Sequence, residues 1–325
     1  MKKARFFLLL SVPALFIFSA CSCTTEDSLR QILRINKEVP VFLNCRPVSS
    51  TEIVFTFSVP VRVVSVNFDP AVEAGQVQDG AEVKITLTRP LEAGTKITAD
   101  LLVEDSDRNT LNVIVPFRSR NDRIPAMVFN EIRTEYSKPK VEFIEFYTLE
   151  PGNLGAVRLF ISCKSLTLPV YEFLPTEVAA REYIVLHLRS IEDGCVDETG
   201  PDLSLSGGTD ALKDARDFWL PGATKILHRT DALWLLDQDD NIIDAVLLCE
   251  GPGNWGKNNT ATAAEFLARQ DAWENDPSGA VNSTGTTYSK TICRDETIPP
   301  ERRAANWYIT ASGNATPGKV NSTKR

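Results

Sequence analysis

Residues 231–248 read DALWLLDQDDNIIDAVLL, and this stretch decides the fold class. Two apolar runs flank Asp239, Asp240 and Asn241, which are residue types that favour tight turns. Two such runs joined by a short polar turn predict the paired strands of a β-hairpin. Close carboxylates also suit a calcium ion, but the stretch lacks the ligand spacing of an EF-hand loop. We therefore expect a hairpin turn here and no metal site.

The segment between residues 39 and 118 repeats the strand pattern at short intervals. Each run has apolar side chains at every second position, and Gly, Pro, Asp and Asn separate the runs, which predicts half-buried antiparallel strands. Several such strands in sequence predict a β-sandwich of about 80 residues. The runs are TEIVFTFSVPV (51–61), AEVKITLT (81–88), TKITADLLVED (95–105) and LNVIVPF (111–117). Together with RPLEAG (89–94) and the polar turn DSDRN (105–109), they resemble the Ig-like domains of bacterial exported proteins.

Five further motifs follow in order along residues 126–325. They are Asn130-Glu131-Ile132 followed by EFIEF (142–146), GAVRLFIS (155–162), REYIVLHLRS (181–190), Ile-Asp-Ala-Val at 243–246, and a close formed by Arg294, Trp307, Thr316-Pro317-Gly318 and Asn321. This series resembles the lamin tail domain, an Ig-like β-sandwich that also occurs in bacterial exported proteins. The resemblance implies an all-β chain with two Ig-like β-sandwich domains in series, 39–118 and 126–325. The charged segment RSRNDRIP (118–125) is the expected linker between them.

Two insertions in the second predicted domain have the apolar spacing of helices. They are TDALKDARDFWL (209–220) and TATAAEFLARQDAW (260–273). In the second insertion, Thr262 and Glu265 have the spacing of a capping box. The second predicted domain is therefore a sandwich with short helical insertions.

The insertions hold three of the five tryptophans, Trp219, Trp255 and Trp273. Tryptophan is enriched at binding hot spots, although it is also common in protein cores. Trp255 lies in GPGNWGKNN (251–259), a glycine-rich loop without the Gly-Lys-Ser/Thr ending of a phosphate-binding loop. Trp255 and Trp219 are the candidate ligand-binding residues, and the alternative for Trp255 is a cap on the core.

The N-terminal stretch MKKARFFLLLSVPALFIFSACSC predicts an exported, lipid-anchored protein. A basic start precedes an apolar run from Phe6 to Ala20, which is shorter than the roughly 20 residues that a spanning helix needs. The end of the run resembles the lipobox of bacterial lipoproteins, with Phe18 where leucine is usual. The resemblance implies a signal peptide (1–20), lipidation of Cys21 by palmitate-like acyl chains, and a tether (21–38). Ordinary signal cleavage is the alternative.

The composition argues against several other functions. Residues 1–20 hold three of the 35 basic residues and none of the 43 acidic ones, so the rest carries 32 against 43, a net charge of −11. Attraction to nucleic-acid phosphates is therefore not expected. The six cysteines after Cys21 form no C-x2-C pair, which argues against zinc, while disulfides and buried free thiols both stay open. His187 and His228 lie outside any nucleophile motif, so we expect no catalytic residue and no cofactor.

Together these features predict a non-enzymatic binding or scaffolding module, displayed from the bacterial cell envelope towards the periplasm or the cell surface. Its expected partners are the membrane, through the lipid, and a protein or glycan. A carbohydrate-binding module is the alternative, and a row of exposed Trp and Tyr would favour it. A hydrolase built on the insertions between residues 195 and 280 is a further alternative, which the shortage of histidine disfavours.

Overall fold

The structure is a computed structural model that describes residues 39–251, 255, 259–273 and 279–325. These residues form two compact units. The first holds the described residues up to Arg46 with Ile53–Leu87 and Thr98–Val115, and the second holds Pro47–Glu52, Thr88–Ile97 and Pro116–Arg325. Within the described ranges, no helix is long and apolar enough to cross a membrane. The predicted signal peptide, the tether and the lipidation site Cys21 lie outside these ranges, and the predicted domain limits stay a prediction.

A six-stranded sheet forms the first unit. Its strands are β1 (Phe42–Pro47), β2 (Glu52–Asp69), β3 (Ala74–Gln78), β4 (Gly80–Leu87), β5 (Lys96–Glu104) and β6 (Thr110–Arg118). They lie in the order β3-β4-β2-β5-β6, and β1 also pairs with β2. Strand β2 is 18 residues long, and its register against β5 shifts between Val63 and Ser65. Irregularities of this kind bend and twist a long strand.

The side chains of this sheet alternate between buried and exposed, as the sequence predicts. On β4, Val83, Ile85 and Leu87 are buried while the two residues between them are exposed. On β5, every second residue from Ile97 to Val103 is buried. A period of two is expected for a sheet with one covered face. The predicted strand pattern of residues 51–117 is therefore confirmed.

The second unit is a sandwich of a six-stranded and a five-stranded sheet, accompanied by a two-stranded sheet and a helix. The six-stranded sheet has the order β14-β13-β8-β7-β18-β19, the five-stranded sheet β11-β10-β15-β16-β17, and the small sheet pairs β12 with β9. The bounds are β7 (Met127–Arg133), β8 (Phe143–Thr148), β9 (Gly152–Asn153), β10 (Arg158–Ile161), β11 (Tyr171–Glu172), β12 (Glu177–Val178), β13 (Tyr183–His187), β14 (Arg216–Trp219), β15 (Asp231–Leu236), β16 (Ile242–Cys249), α1 (Thr260–Arg269), β17 (Val281–Asn282), β18 (Ile292–Arg294) and β19 (Trp307–Ile309). The predicted all-β fold class is confirmed.

The main core of the second unit lies between its two large sheets. Phe129 and Phe146 come from the six-stranded sheet, and Leu233 and Val246 come from the five-stranded sheet. The two phenylalanine rings lie 5.2 Å apart between centroids. Each such buried side chain contributes roughly 1.5–3 kcal/mol relative to exposure. This core fixes the two sheets against each other and leaves their outer faces for other elements.

The hairpin predicted at residues 231–248 is confirmed, because β15 and β16 pair antiparallel. In its turn, Asp237 Oδ1 accepts hydrogen bonds from the backbone N–H groups of Asp239 and Asn241, at 2.8 and 2.9 Å. The Asn241 amide donates to Asp237 Oδ2 at 2.9 Å. The Asp237 carboxylate is thus occupied by donors of its own turn.

Residues 105–109 of the first unit build the same turn. Asp105 Oδ1 accepts from the backbone N–H groups of Asp107 and Asn109, and the Asn109 amide donates to Asp105 Oδ2. Burial acts to raise the pKa of Asp105, but these hydrogen bonds together outweigh burial and hold that pKa below its usual value. The residue before the asparagine has a positive φ in both turns, 68° at Arg108 and 63° at Asp240. Both Asp-x-Asp-x-Asn sequences therefore encode one local turn.

The predicted helix at 209–220 is wrong, because the segment ends in strand β14, which runs parallel to β13. On its other side, the Glu198 N–H donates to the Asp217 carbonyl. Phe218 joins the core between the sheets, whereas Asp217 pairs with His187. The side chains thus alternate with period two, and tertiary pairing overrides the helical spacing.

The second predicted helix is confirmed as α1, but its predicted cap is wrong. The N-cap residue is Asn259, and no side-chain hydrogen bond caps the helix. Thr262 lies inside the first turn, so it has no place in a capping box. Of the predicted apolar face, Ala263 is buried and Phe266 is partly buried against the core. The helix covers part of the outer face of the five-stranded sheet.

The expected linker at 118–125 is held by hydrogen bonds rather than free. Asn121 is buried, and its side-chain amide donates to the carbonyls of Asn153 and Gly155 at 2.7 and 2.8 Å. Its backbone N–H donates to Gln238 Oε1 at 2.8 Å. Two charged residues of the segment, Arg120 and Arg123, pair with Asp239 and Glu177.

Candidate functional site

The motif residues of the second domain meet in a buried polar network. Glu131 on β7 and Glu145 on β8 are directly opposite each other in the strand register, and both are fully buried. Burial raises the pKa of Glu131. Burial and, secondly, the charge of Glu131 raise the pKa of Glu145 well above its usual range. Like charges across a strand pair repel, so the pair needs donors around it.

The donors come from a C-terminal segment, residues 316–321, which we call the strap. The Thr316 N–H lies 3.1 Å from Glu131 Oε2, and the Gly318 N–H donates to Glu145 Oε2 at 2.5 Å. Asn321 donates its amide to the Arg294 carbonyl at 3.0 Å. Gly318 has φ +77°, and a Cβ built there would lie 2.9 Å from the Ala215 Cβ. The motif Thr-Pro-Gly therefore serves to bring backbone donors onto two buried carboxylates.

A second part of the network joins Asp244 of the Ile-Asp-Ala-Val motif to Arg294. Arg294 Nη2 lies 3.0 Å from Asp244 Oδ2, and its guanidinium lies over the Trp307 ring at 4.6 Å. Asp244 also accepts from the Phe129 N–H at 2.9 Å and from Arg302. Burial raises the pKa of Asp244 and lowers that of Arg294, and each charge opposes the shift of the other. These residues hold the sheets together and offer no opening for a ligand.

The two histidines of the second unit have different surroundings. His187 Nε2 lies 2.8 Å from Asp217 Oδ1, and both side chains are buried. His228 is exposed. Among the described residues, Cys45, Cys163, Cys195 and Cys293 have free thiols, and burial raises the pKa of Cys45 to about 12. Burial also raises the pKa of Cys163.

The three tryptophans of the insertions do not form a common exposed surface. Trp219 is 5% exposed, its ring stacks on His187 at 3.8 Å, and its Nε1 donates to Ser206 Oγ. A ligand-binding ring needs an exposed face, so Trp219 is wrongly placed for that role. Trp273 is 4% exposed and donates to the Gly279 carbonyl. Trp255 is partly buried and packs against the core, as expected for the alternative of a core cap.

A pocket of about 470 Å³ opens on the outer face of the five-stranded sheet, beside α1. Its floor is Phe160 on β10 and Trp234 on β15, which are register partners with stacked rings 5.2 Å apart. Phe266 of α1 forms a wall and lies 6.1 Å from Trp234 between ring centroids. The remaining lining residues are Arg158, Leu166, Thr167, Leu236, Asp240, Thr262, Ala263, Arg269 and Gln270. We call this the helix–sheet pocket.

Sequence reasoning missed the helix–sheet pocket, although one signal was present. Strand β15 is buried at all six positions, so both faces of its sheet must be covered. The amphipathic stretch 260–273 is the only part of the predicted insertions that became a helix, and it covers that second face incompletely. Pockets of roughly 300–1,000 Å³ with an apolar lining and a few polar groups are typical ligand sites. The insertion, rather than its tryptophans, supplies the candidate site.

Comparison with known proteins places the second unit in a family. A family model described as "TP_1001_2nd: protein second domain" matches residues 125–309, more than half of the chain. An uncharacterized protein of Treponema pallidum (strain Nichols) is 29% identical over 106 residues, which cover 33% of this chain and 27% of that protein. The crystal structure of L,D-transpeptidase 3 from Mycobacterium tuberculosis aligns over 65% of this chain and 98% of its own, with 14% identity and a TM-score of 0.18. A similarity at that TM-score carries no argument about function.

Proposed function

Since the chain belongs to the TP_1001_2nd family, and its second unit contains the helix–sheet pocket, we propose that this unit is a non-enzymatic binding module. The observation that carries the proposal is the pocket itself. It has a volume suited to a small ligand or to one apolar group of a larger partner. Its stacked aromatic floor is held by two adjacent strands of the five-stranded sheet, β10 and β15.

The proposal also places the protein in the bacterial cell envelope. Residues 1–20 act as a lipoprotein signal peptide, Cys21 carries the lipid, and residues 21–38 tether the first sandwich (39–118), which acts as a spacer. The second sandwich (126–325) then presents its pocket away from the membrane. The motif order of residues 130–321 and the network that these motifs form support a relation between the second unit and lamin tail domains.

The carbohydrate-binding alternative receives less support. It calls for a row of exposed aromatic side chains on one sandwich face. Among the described residues, the large aromatic side chains that are exposed are Tyr136 and Tyr288. Trp234 and Phe160 are 2% and 4% exposed, so they are reached only through the pocket mouth. A floor of aromatic side chains that are this deeply buried suits an inserted apolar group better than a flat sugar ring.

Binding of 1-aminoanthracene, a neutral fluorescent probe, to the purified full chain tests the proposal. Thr262→Trp places an indole at the exposed rim of the helix–sheet pocket, and it should abolish the saturable rise in fluorescence. Ala261→Trp is the matched control, because Ala261 is an exposed helix residue that does not line the pocket. The same saturable binding in wild type and Thr262→Trp would refute the proposal.

A further inference from the structure

We propose that the ligand of the helix–sheet pocket is an aliphatic chain that ends in a carboxylate, with Arg269 holding the carboxylate at the rim. This inference rests on the proposed function and adds the chemical class of the ligand. Three features of the pocket carry it: an apolar interior, a cation at the mouth that has no carboxylate partner among the described residues, and a floor built on strands that pair with their neighbours.

The interior of the pocket is apolar. Phe160, Trp234 and Leu236 form the floor, and Leu166 and Phe266 stand beside it. The polar lining groups lie at the end of strand β10 (Arg158), in the turn, in the loop and on the helix, and Thr167, Thr262 and Gln270 among them are exposed. Each methylene that leaves water for such an interior contributes about 0.8 kcal/mol. A hydrocarbon chain is therefore favoured inside, with its polar end at the mouth.

The charges at the mouth favour an anion over a cation. Arg158 donates to the Asp237 carbonyl and pairs with Asp240 at 2.8 Å, so these two charges satisfy each other. Arg269, in the last turn of α1, is exposed and has no carboxylate partner among the described residues. A guanidinium offers a planar fork of donors that matches a carboxylate. The mouth thus has one positive charge available for a ligand.

The strands below the pocket disfavour a peptide as the source of the carboxylate. Strand β10 pairs with β11 and β15, and β15 pairs with β10 and β16. Strand β15 is therefore paired on both sides, and β10 is paired on both sides at Arg158 and Leu159. The amide groups of a bound peptide would lose water without gaining strand partners, which is costly. A fatty-acid-like chain has no such groups to satisfy.

Displacement of 1-aminoanthracene from the full chain by octanoate and by octanol tests the inference. The two probes share a chain length and differ in the carboxylate. Octanoate should displace the fluorophore at a concentration about tenfold lower than octanol, the ratio that one charge-assisted contact of modest strength provides. Arg269→Gln should reduce the ratio to about one, while Arg269→Lys should keep part of it. Lys213→Gln removes a charge from an exposed position outside the pocket and should leave the ratio unchanged.

Each outcome decides between the two proposals. Equal displacement by octanoate and octanol in the wild type would keep the binding module and overturn the carboxylate. A ratio that survives Arg269→Gln would overturn the role of Arg269. Stronger displacement by the tripeptide Gly-Leu-Phe than by octanoate would overturn the aliphatic source. Failure of 1-aminoanthracene to bind at all would overturn the proposed function and this inference together.

Discussion

Asp244→Ala tests whether the buried ion pair with Arg294 stabilises the second unit. The two side chains are 2% and 3% exposed, and their charged atoms lie 3.0 Å apart. Removing the carboxylate leaves the guanidinium buried without a countercharge, although its hydrogen bonds to the Phe129 and Glu301 carbonyls remain. It also takes an acceptor from the Phe129 N–H.

The magnitude follows from that burial. Breaking a buried pair by removing one partner costs about 3–5 kcal/mol, and an unsatisfied buried backbone N–H costs about 1–3 kcal/mol. The two costs are not additive, because water that enters the space left by the carboxylate reaches both the guanidinium and the N–H group. We therefore expect the free energy of unfolding to fall by about 4 kcal/mol. Domains unfold with about 5–15 kcal/mol in total. The variant should therefore be folded only marginally.

Urea unfolding followed by tryptophan fluorescence measures this loss. All five tryptophans lie between residues 219 and 307, so the signal reports the second unit. Asp239→Ala is the matched control, because Asp239 pairs with Arg120 at 2.8 Å with side chains 47% and 32% exposed. An exposed pair contributes at most about 1 kcal/mol. If the two variants lose the same free energy, burial is not the reason for the strength of the Asp244 pair.

Three further predictions concern the strap, the carboxylate pair and the anchor. Gly318→Ala should lower the free energy of unfolding in urea by about 1–3 kcal/mol more than Gly313→Ala. Both glycines have a positive φ, but only at Gly318 does a methyl group, that of Ala215, lie within 3 Å of the new Cβ. Equal losses for the two variants would contradict the close contact. The raised pKa of Glu145 means that the folded state binds its proton more tightly, so the free energy of unfolding should fall as pH rises from the usual glutamate range through the raised pKa. Glu145→Gln should flatten that part of a plot of urea midpoint against pH, and an unchanged slope would assign it to other groups. Cys21→Ala should release the protein into the soluble fraction or leave its signal peptide uncut, and membrane retention of a correctly cut variant would reject the anchor.

The strands were the most predictable part of the fold. The alternation of apolar and polar residues on β4 and β5 directly predicts one buried face, because the side-chain period of a strand is two. The turn at Asp237 was predictable because aspartate and asparagine satisfy its backbone locally. These signals depend on a few neighbouring residues, so sequence alone contains them.

Features that depend on distant residues could not be predicted. The sequence of strand β14 has helical spacing, and it forms a strand because β13 and Glu198 hydrogen-bond to its two edges. Trp219 looks like a surface residue until His187 is stacked on it. The helix–sheet pocket requires knowing that α1 covers only part of a face shared by β10 and β15. The order of the motifs along residues 130–321 did not predict that their side chains and backbone groups meet as buried carboxylates and donors.

The distance between the strap and its carboxylates along the chain has a consequence for biosynthesis. Glu131 and Glu145 receive backbone donors that lie 185 and 173 residues further on. At about 5–20 residues per second, a ribosome needs on the order of ten to forty seconds to supply them. During that interval the β7–β8 hairpin lacks the donors for its two buried acids, so we expect the second unit to complete its fold only after its last motif has been translated. A chain that completes its fold late stays unfolded for longer, and an unfolded chain is what a translocon accepts. Late folding therefore suits the export proposed for this protein.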